Sequence, residues 1–188
     1  MKKPLLALAL FATFTVQAYA ADTYVTDPNH TFARFSYSHL GYSTQLSRFD
    51  KVSGTITLDS ANKKGSADIT IDTRSVSTGS DHFNEHIQEA DFLDTQEFPT
   101  ATFKADTMKF SGDVPSELDG ILTLKGISHP VAMKITSFKC MPHPMLHKDA
   151  CGADAEAHVK RSDFNMSKYV PYVGDDVTIT VSVEAVKQ

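Results

Sequence analysis

The sequence has no basic run, no low-complexity tract and no internal repeat. After its first residues it has no apolar run long enough to cross a bilayer. The missing basic run, together with a net charge of -5, argues against nucleic acid and against anionic membrane surfaces as partners. The missing spans argue against a helical membrane protein. Several chemical signatures are missing as well: there is no G-x-S-x-G, no Gly-rich phosphate loop and no dinucleotide-binding fingerprint. Cysteine occurs only twice, at Cys140 and Cys151. An exported chain favours a disulfide between them, closing a loop stiffened by Pro142 and Pro144. The other reading is a tetrahedral zinc site made with His143 and His147.

Export is what the first residues indicate. Lys2 and Lys3 give a positive start, Leu5 to Val16 an apolar stretch, and Ala18-Tyr19-Ala20 a small-residue cleavage site. Residues 1–20 therefore read as a secretory signal peptide, and residues 21–188 as one exported, soluble domain with room for a real core.

Most of that domain alternates with period two, the signature of strands with one wet face. Ala33, Phe35 and Tyr37 alternate with Arg34, Ser36 and Ser38. Gly54, Ile56 and Leu58 alternate with Thr55, Thr57 and Asp59. Ala67, Ile69 and Ile71 follow after turn chemistry at Asn62-Lys63-Lys64-Gly65. Further strands are expected over residues 101–110, 119–125, 130–140 and 153–158. The clearest alternation is Val177, Ile179, Val181 and Val183. About eight antiparallel strands with one apolar face stack as a sandwich or close as a barrel. Small residues on the apolar side (Ala33, Gly54, Ala67, Ala101, Ala153, Ala155, Ala157) favour a barrel with space inside. The polar second face excludes an outer-membrane barrel.

One stretch is helical. Phe83, Ile87 and Ala90 share a face, Ser80 can cap the first turn, and Phe92, Leu93 and Phe98 follow before Pro99. A short helix with a greasy tail is expected to lid the barrel. It also spells H-x-x-E-H through His82, Glu85 and His86, which gives a zinc hydrolase as one alternative. A second alternative is a stress-related interaction protein with a packed core and an apolar surface patch. His30 and His39 are further candidates, His39 because it ends an inward-facing row.

Taken in order, these stretches resemble the YceI-like family of polyisoprenoid-binding proteins over nearly all of residues 21–188. The resemblance is carried by His30 to Gly41 with its terminal His39-Leu40-Gly41, Gly54 to Asp59, Ile71-Asp72 with Ser75 and Thr78, and His86-Ile87. It continues through Asp91-Phe92-Leu93-Asp94, Phe98 to Phe103, Gly120 to Gly126, Pro130-Val131, Cys151-Gly152, Asp163-Phe164 and Glu184. Asn84-Glu85 stands where the family usually has Arg-Asp. The resemblance implies an all-β, lipocalin-like, eight-stranded antiparallel β-barrel covered by a short helix. It implies an elongated apolar cavity for a long isoprenoid lipid or a prenyl quinone such as ubiquinone, and it implies no catalytic activity. Family members are typically periplasmic and some form homodimers. The lining expected is Phe35, Tyr37, Phe49, Ile56, Ile69, Ile71, Phe83, Ile87, Phe92, Phe103, Leu122, Met133 and Val181, with His39 and His86 at the mouth. The expected partners are the amphiphile itself, a transient membrane contact and a second copy. No cofactor or metal is required.

Overall fold

Period-two alternation builds almost everything in residues 21–188, the part of the chain that the computed structural model describes. The leader expected over residues 1–20 lies outside those residues. The strands are β1 (Asp22–Thr26), β2 (Phe32–His39), β3 (Ser43–Phe49), β4 (Val52–Asp59), β5 (Lys64–Asp72) and β6 (Val76–Ser77). The helix α1 (Asp81–Ile87) follows, and then β7 (Thr100–Ser111), β8 (Val114–Leu124), β9 (Ile127–Pro142), β10 (Asp149–Lys160) and β11 (Asp176–Lys187). Among the described residues no helix is long and apolar enough to cross a membrane.

Antiparallel pairing runs β1–β4–β5–β7–β8–β9–β10–β11, and β11 pairs back onto β1, so eight strands close into a barrel. Closure leaves the ring no free edge to recruit another chain. β2, β3 and β6 extend the wall from β11. β11 takes β2 against Thr178–Ser182 and β1 against Ala185–Lys187, so β1 and β2 are two halves of one interrupted strand position. β3 and β4 are interrupted at Asp50-Lys51, and β5 and β6 at a 3-10 turn over Thr73–Ser75. A crease thus crosses three neighbouring strand positions.

Hydroxyl groups replace the ladder along this crease. Thr31, fully buried, donates its Oγ1 hydrogen to the Glu184 carbonyl at 3.1 Å and accepts the Glu184 N–H at 3.3 Å. Ser75 Oγ accepts from the Lys51 N–H at 3.0 Å, and Thr73 donates to the Phe98 carbonyl at 2.7 Å. Where the backbone group is buried, such a bond avoids a penalty of about 1–3 kcal/mol.

The sequence reading did not include β1, β3 and β6. β1 and β6 are too short to show a period, and β3 is polar up to Phe49 apart from Leu46, which is exposed on the face opposite Phe49. The helix is also shorter than its expected face. It stops at Ile87, Gln88 caps it, and Ala90 sits exposed in the turn that follows. The Leu93 N–H reaches back to the Ile87 carbonyl at 3.0 Å and the Asp94 N–H to the Glu89 carbonyl at 3.0 Å, which turns the chain instead of prolonging the helix. Ser80 caps as expected, its Oγ accepting the Phe83 N–H at 3.4 Å.

The apolar interior falls into two clusters. The larger joins Phe49, Val52, Phe103, Leu122, Met133 and Phe164 beneath α1. The smaller, around Tyr24, Leu58, Met108 and Ala185, floors the opposite end. Gly120 serves the larger one: the Phe103 ring lies over its Cα, and a Cβ there would come within 2.6 Å of Cζ.

Candidate functional site

Between these clusters the barrel is hollow. The cavity has a volume of about 430 Å³, within the range of small-molecule sites. Five alternate positions of β11, from Val177 to Ala185, lie on its wall. At the strand rise they span about 27 Å, so the hollow is long rather than round.

Every lining position expected from the sequence is on this wall. β2 supplies Phe35, Tyr37 and His39; β3 supplies Phe49, β4 Ile56, and β5 Ile69 and Ile71. β7, β8, β9 and β11 supply Phe103, Leu122, Met133 and Val181, while α1 brings Phe83, His86 and Ile87 with Phe92 in the turns behind it. Inward alternation explains the strand residues. Of the small inward residues, Ala33, Ala67, Ala101, Ala153 and Ala155 line the hollow. Gly54 and Ala157 are not on its wall, and Ala157 is packed within the larger cluster. A packed-core interaction protein needs a solid interior, so the hollow overturns that alternative.

The covered end is rich in aromatic rings. The Phe35 and Phe49 ring centroids are 5.4 Å apart, and those of His86 and Phe92 are 4.8 Å apart in an edge contact. His86 Nδ1 lies 3.2 Å from Glu89 Oε1. Burial pushes the Tyr37 phenol above its ordinary range, with Arg161 opposing the shift. Asn84, at the departure from the family pattern, accepts both the Thr78 N–H at 2.7 Å and the Thr78 hydroxyl at 2.8 Å. It pins the start of α1 without a cation.

Sequence reasoning missed the second half of the roof, residues 161–175. Arg161 is buried, and its guanidinium donates to the carbonyls of Gly174 at 2.8 Å, Lys168 at 2.8 Å, Val173 at 2.9 Å and Met166. That fork folds the loop back over the barrel, bringing Phe164, Met166, Tyr169 and Val173 onto the wall. Burial lowers the Arg161 pKa, and nearby Asp175 opposes this. The loop has no periodicity, so only the buried cation could have signalled it. Lys168 and Asp91 form an ion pair that ties this loop to the turns after α1.

His82 and Glu85 are exposed while His86 turns to Phe83 and Phe92. Among the described residues the one metal-spaced group of three His, Cys, Asp or Glu is Asp27, His30 and Glu184, away from His82, Glu85 and His86. His30 is outside the cavity. Its Nδ1 lies 2.7 Å from Asp27 Oδ2 in the turn between β1 and β2, and that contact raises its pKa. Cys140 and Cys151 face each other across β9 and β10 and are disulfide-bonded, with Cα atoms 4.0 Å apart, which removes both thiolates from any zinc site.

The chain has relatives that share this architecture. The family model of the YceI-like domain matches residues 24–185. Protein YceI of Escherichia coli O6:H1 is 36% identical over 194 residues, covering 100% of both chains, and Protein YceI of Salmonella arizonae matches equally. The crystal structure of a Campylobacter jejuni YCEI protein superposes with a TM-score of 0.69 at 26% identity, covering 80% of this chain and 90% of that one. A polyisoprenoid binding domain from Saccharophagus degradans shares the fold with a TM-score of 0.66 at 16% identity, covering 88% and 98%.

Proposed function

The chain belongs to the YceI-like domain family, and from that premise we propose that it is an exported protein that carries a long-chain isoprenoid lipid, or a prenyl quinone, in its barrel. The hollow carries the reading. An apolar guest gains packing against a wall of this kind, and each methylene it buries adds about 0.8 kcal/mol. Among the described residues no buried side-chain nitrogen or oxygen lacks a partner, so nothing in the wall calls for ordered water. A fold shared with a polyisoprenoid binding domain supports a tail of that kind.

In this reading Phe35, Phe49, Phe103, Val181 and their neighbours grip the tail, while His39 and His86 meet the head group. Specificity comes from that mouth, because the walls recognise only apolar bulk. The leader delivers the protein to the periplasm. There it exchanges cargo with a bilayer through the exposed rim around the roof: Leu40, Tyr42, Tyr169 and Tyr172. Mass spectrometry of an organic extract of the purified protein is the test. A prenyl-chain lipid near one equivalent is expected, and its absence from protein purified out of a native host would end the proposal.

A further inference from the structure

The tip of the β9–β10 hairpin reads Met141-Pro-His143-Pro-Met145-Leu-His147, between the bridged Cys140 and Cys151. Met141 is 50% exposed and Met145 78%, whereas Met108, Met133 and Met166 are all buried in the barrel. Two thioethers in water fill no core, which is the usual use of methionine. We infer that this tip binds a soft monovalent cation of the copper(I) class through Met141, Met145 and His147.

The backbone of the loop that carries them is fixed at several points. The disulfide closes its base, Met141 and Pro142 pair with Ala150 and Asp149, and the His143 N–H donates to the Lys148 carbonyl at 2.7 Å. His143 Nδ1 accepts the N–H groups of Met145 and Leu146, each at 3.2 Å. That arrangement leaves the ring proton of neutral His143 on Nε2, so His143 positions the turn rather than ligating. His147 makes no side-chain hydrogen bond among the described residues, and its imidazole is free to bind. Pro142 and Pro144 lower the entropy lost when the ligands converge.

Donor chemistry selects the ion. Both thiols are spent in the disulfide, which leaves two neutral thioethers and one imidazole. Thioethers suit Cu(I) and its analogue Ag(I); they are poor ligands for zinc, calcium or magnesium, which favour thiolate or oxygen donors. Three neutral donors also suit a single positive charge.

Protein labelled at the methionine methyl groups is titrated with silver nitrate and followed by NMR. Titration with Cu(I) under anaerobic conditions, against a chromophoric chelator, follows. The Met141 and Met145 methyl signals are expected to shift and saturate near one equivalent, while those of Met108, Met133 and Met166 stay put. The variant M141L/M145L keeps the apolar bulk of an exposed tip and folds, yet it should bind Ag(I) weaker by on the order of a hundredfold. H147A should weaken binding in the same direction. Unmoved Met141 and Met145 signals, undiminished binding by the leucine variant, or binding only after the disulfide is reduced would each overturn the assignment.

Discussion

Two residues on the barrel wall show how little the interior depends on any one contact and how much it depends on volume. Ala155 lines the hollow at half-burial, with a side chain that fills little of it. Phenylalanine there should occupy part of the cavity, leave the urea midpoint equal or higher, and lower co-purifying lipid by more than about tenfold. A fall of about 1–3 kcal/mol in stability with lipid retained is the signature of overpacking, and it would mean that the wall is already full at that point. Arg161 is the opposite case, a single side chain that organises a whole loop. Replacing it with methionine leaves several buried carbonyls unpaired and should cost about 3 kcal/mol or more, read as a drop in denaturation midpoint. Lysine should not restore the loss, because a point charge cannot reproduce the guanidinium fork. Ala155 was legible in the sequence because it sits in an alternating row. Arg161 was not, because its role is set by carbonyls up to thirteen residues away along the chain.

At the scale of elements, long strands were readable and short or interrupted ones were not. β7 through β11 each show their alternation over enough residues to declare a face. The crease breaks the first three strand positions into pieces held by hydroxyl groups, and that leaves no period to read. The roof likewise consists of a short helix and turns, tied to the 161–175 loop by Asp91 and Lys168. The hydrogen bond and charge of Lys168 hold the Asp91 carboxyl below its ordinary value near 3.8, so its contribution is present above that value and is lost as pH falls through the lowered one. Asp91 raises the Lys168 pKa above its ordinary 10.5, so that half is present below 10.5 and lost as pH rises beyond. The tie therefore holds across neutral pH. The contribution of this tie to ligand release should be the same from about pH 5 to about pH 9, so D91N should release faster than the wild type by a constant factor of less than about fivefold across that range, since both groups face solvent. Equal release rates for D91N and wild type in stopped-flow measurements would show that the ion pair does not restrain the roof.

For the molecule as a whole, closure makes two ends that differ in chemistry. One end is packed with Tyr24, Leu58 and Met108, and the other is capped by α1 and the 161–175 loop, where the proposed cargo would pass. That end carries exposed apolar groups: Tyr42 is 88% exposed, Tyr172 74% and Leu40 48%. The Leu40 N–H donates to the Tyr172 carbonyl at 2.8 Å, so these residues belong to one rim. Tyrosine is the side chain that settles at a membrane–water boundary, ring in the apolar layer and hydroxyl in the wet one. The net charge of -5 argues against adhesion to anionic lipid as the driving force, so contact should rest on ring insertion and resist salt. Transfer of a fluorescent prenyl lipid from neutral phosphatidylcholine vesicles should therefore accelerate with vesicle concentration and change little with ionic strength. In the variant Y42S/Y172S the transfer rate should fall several-fold, because the encounter is weakened. The equilibrium loading should stay the same, because neither residue lines the cavity. A rate independent of vesicle concentration, equal in wild type and variant, would instead place exchange in free solution and leave the rim without a part in it.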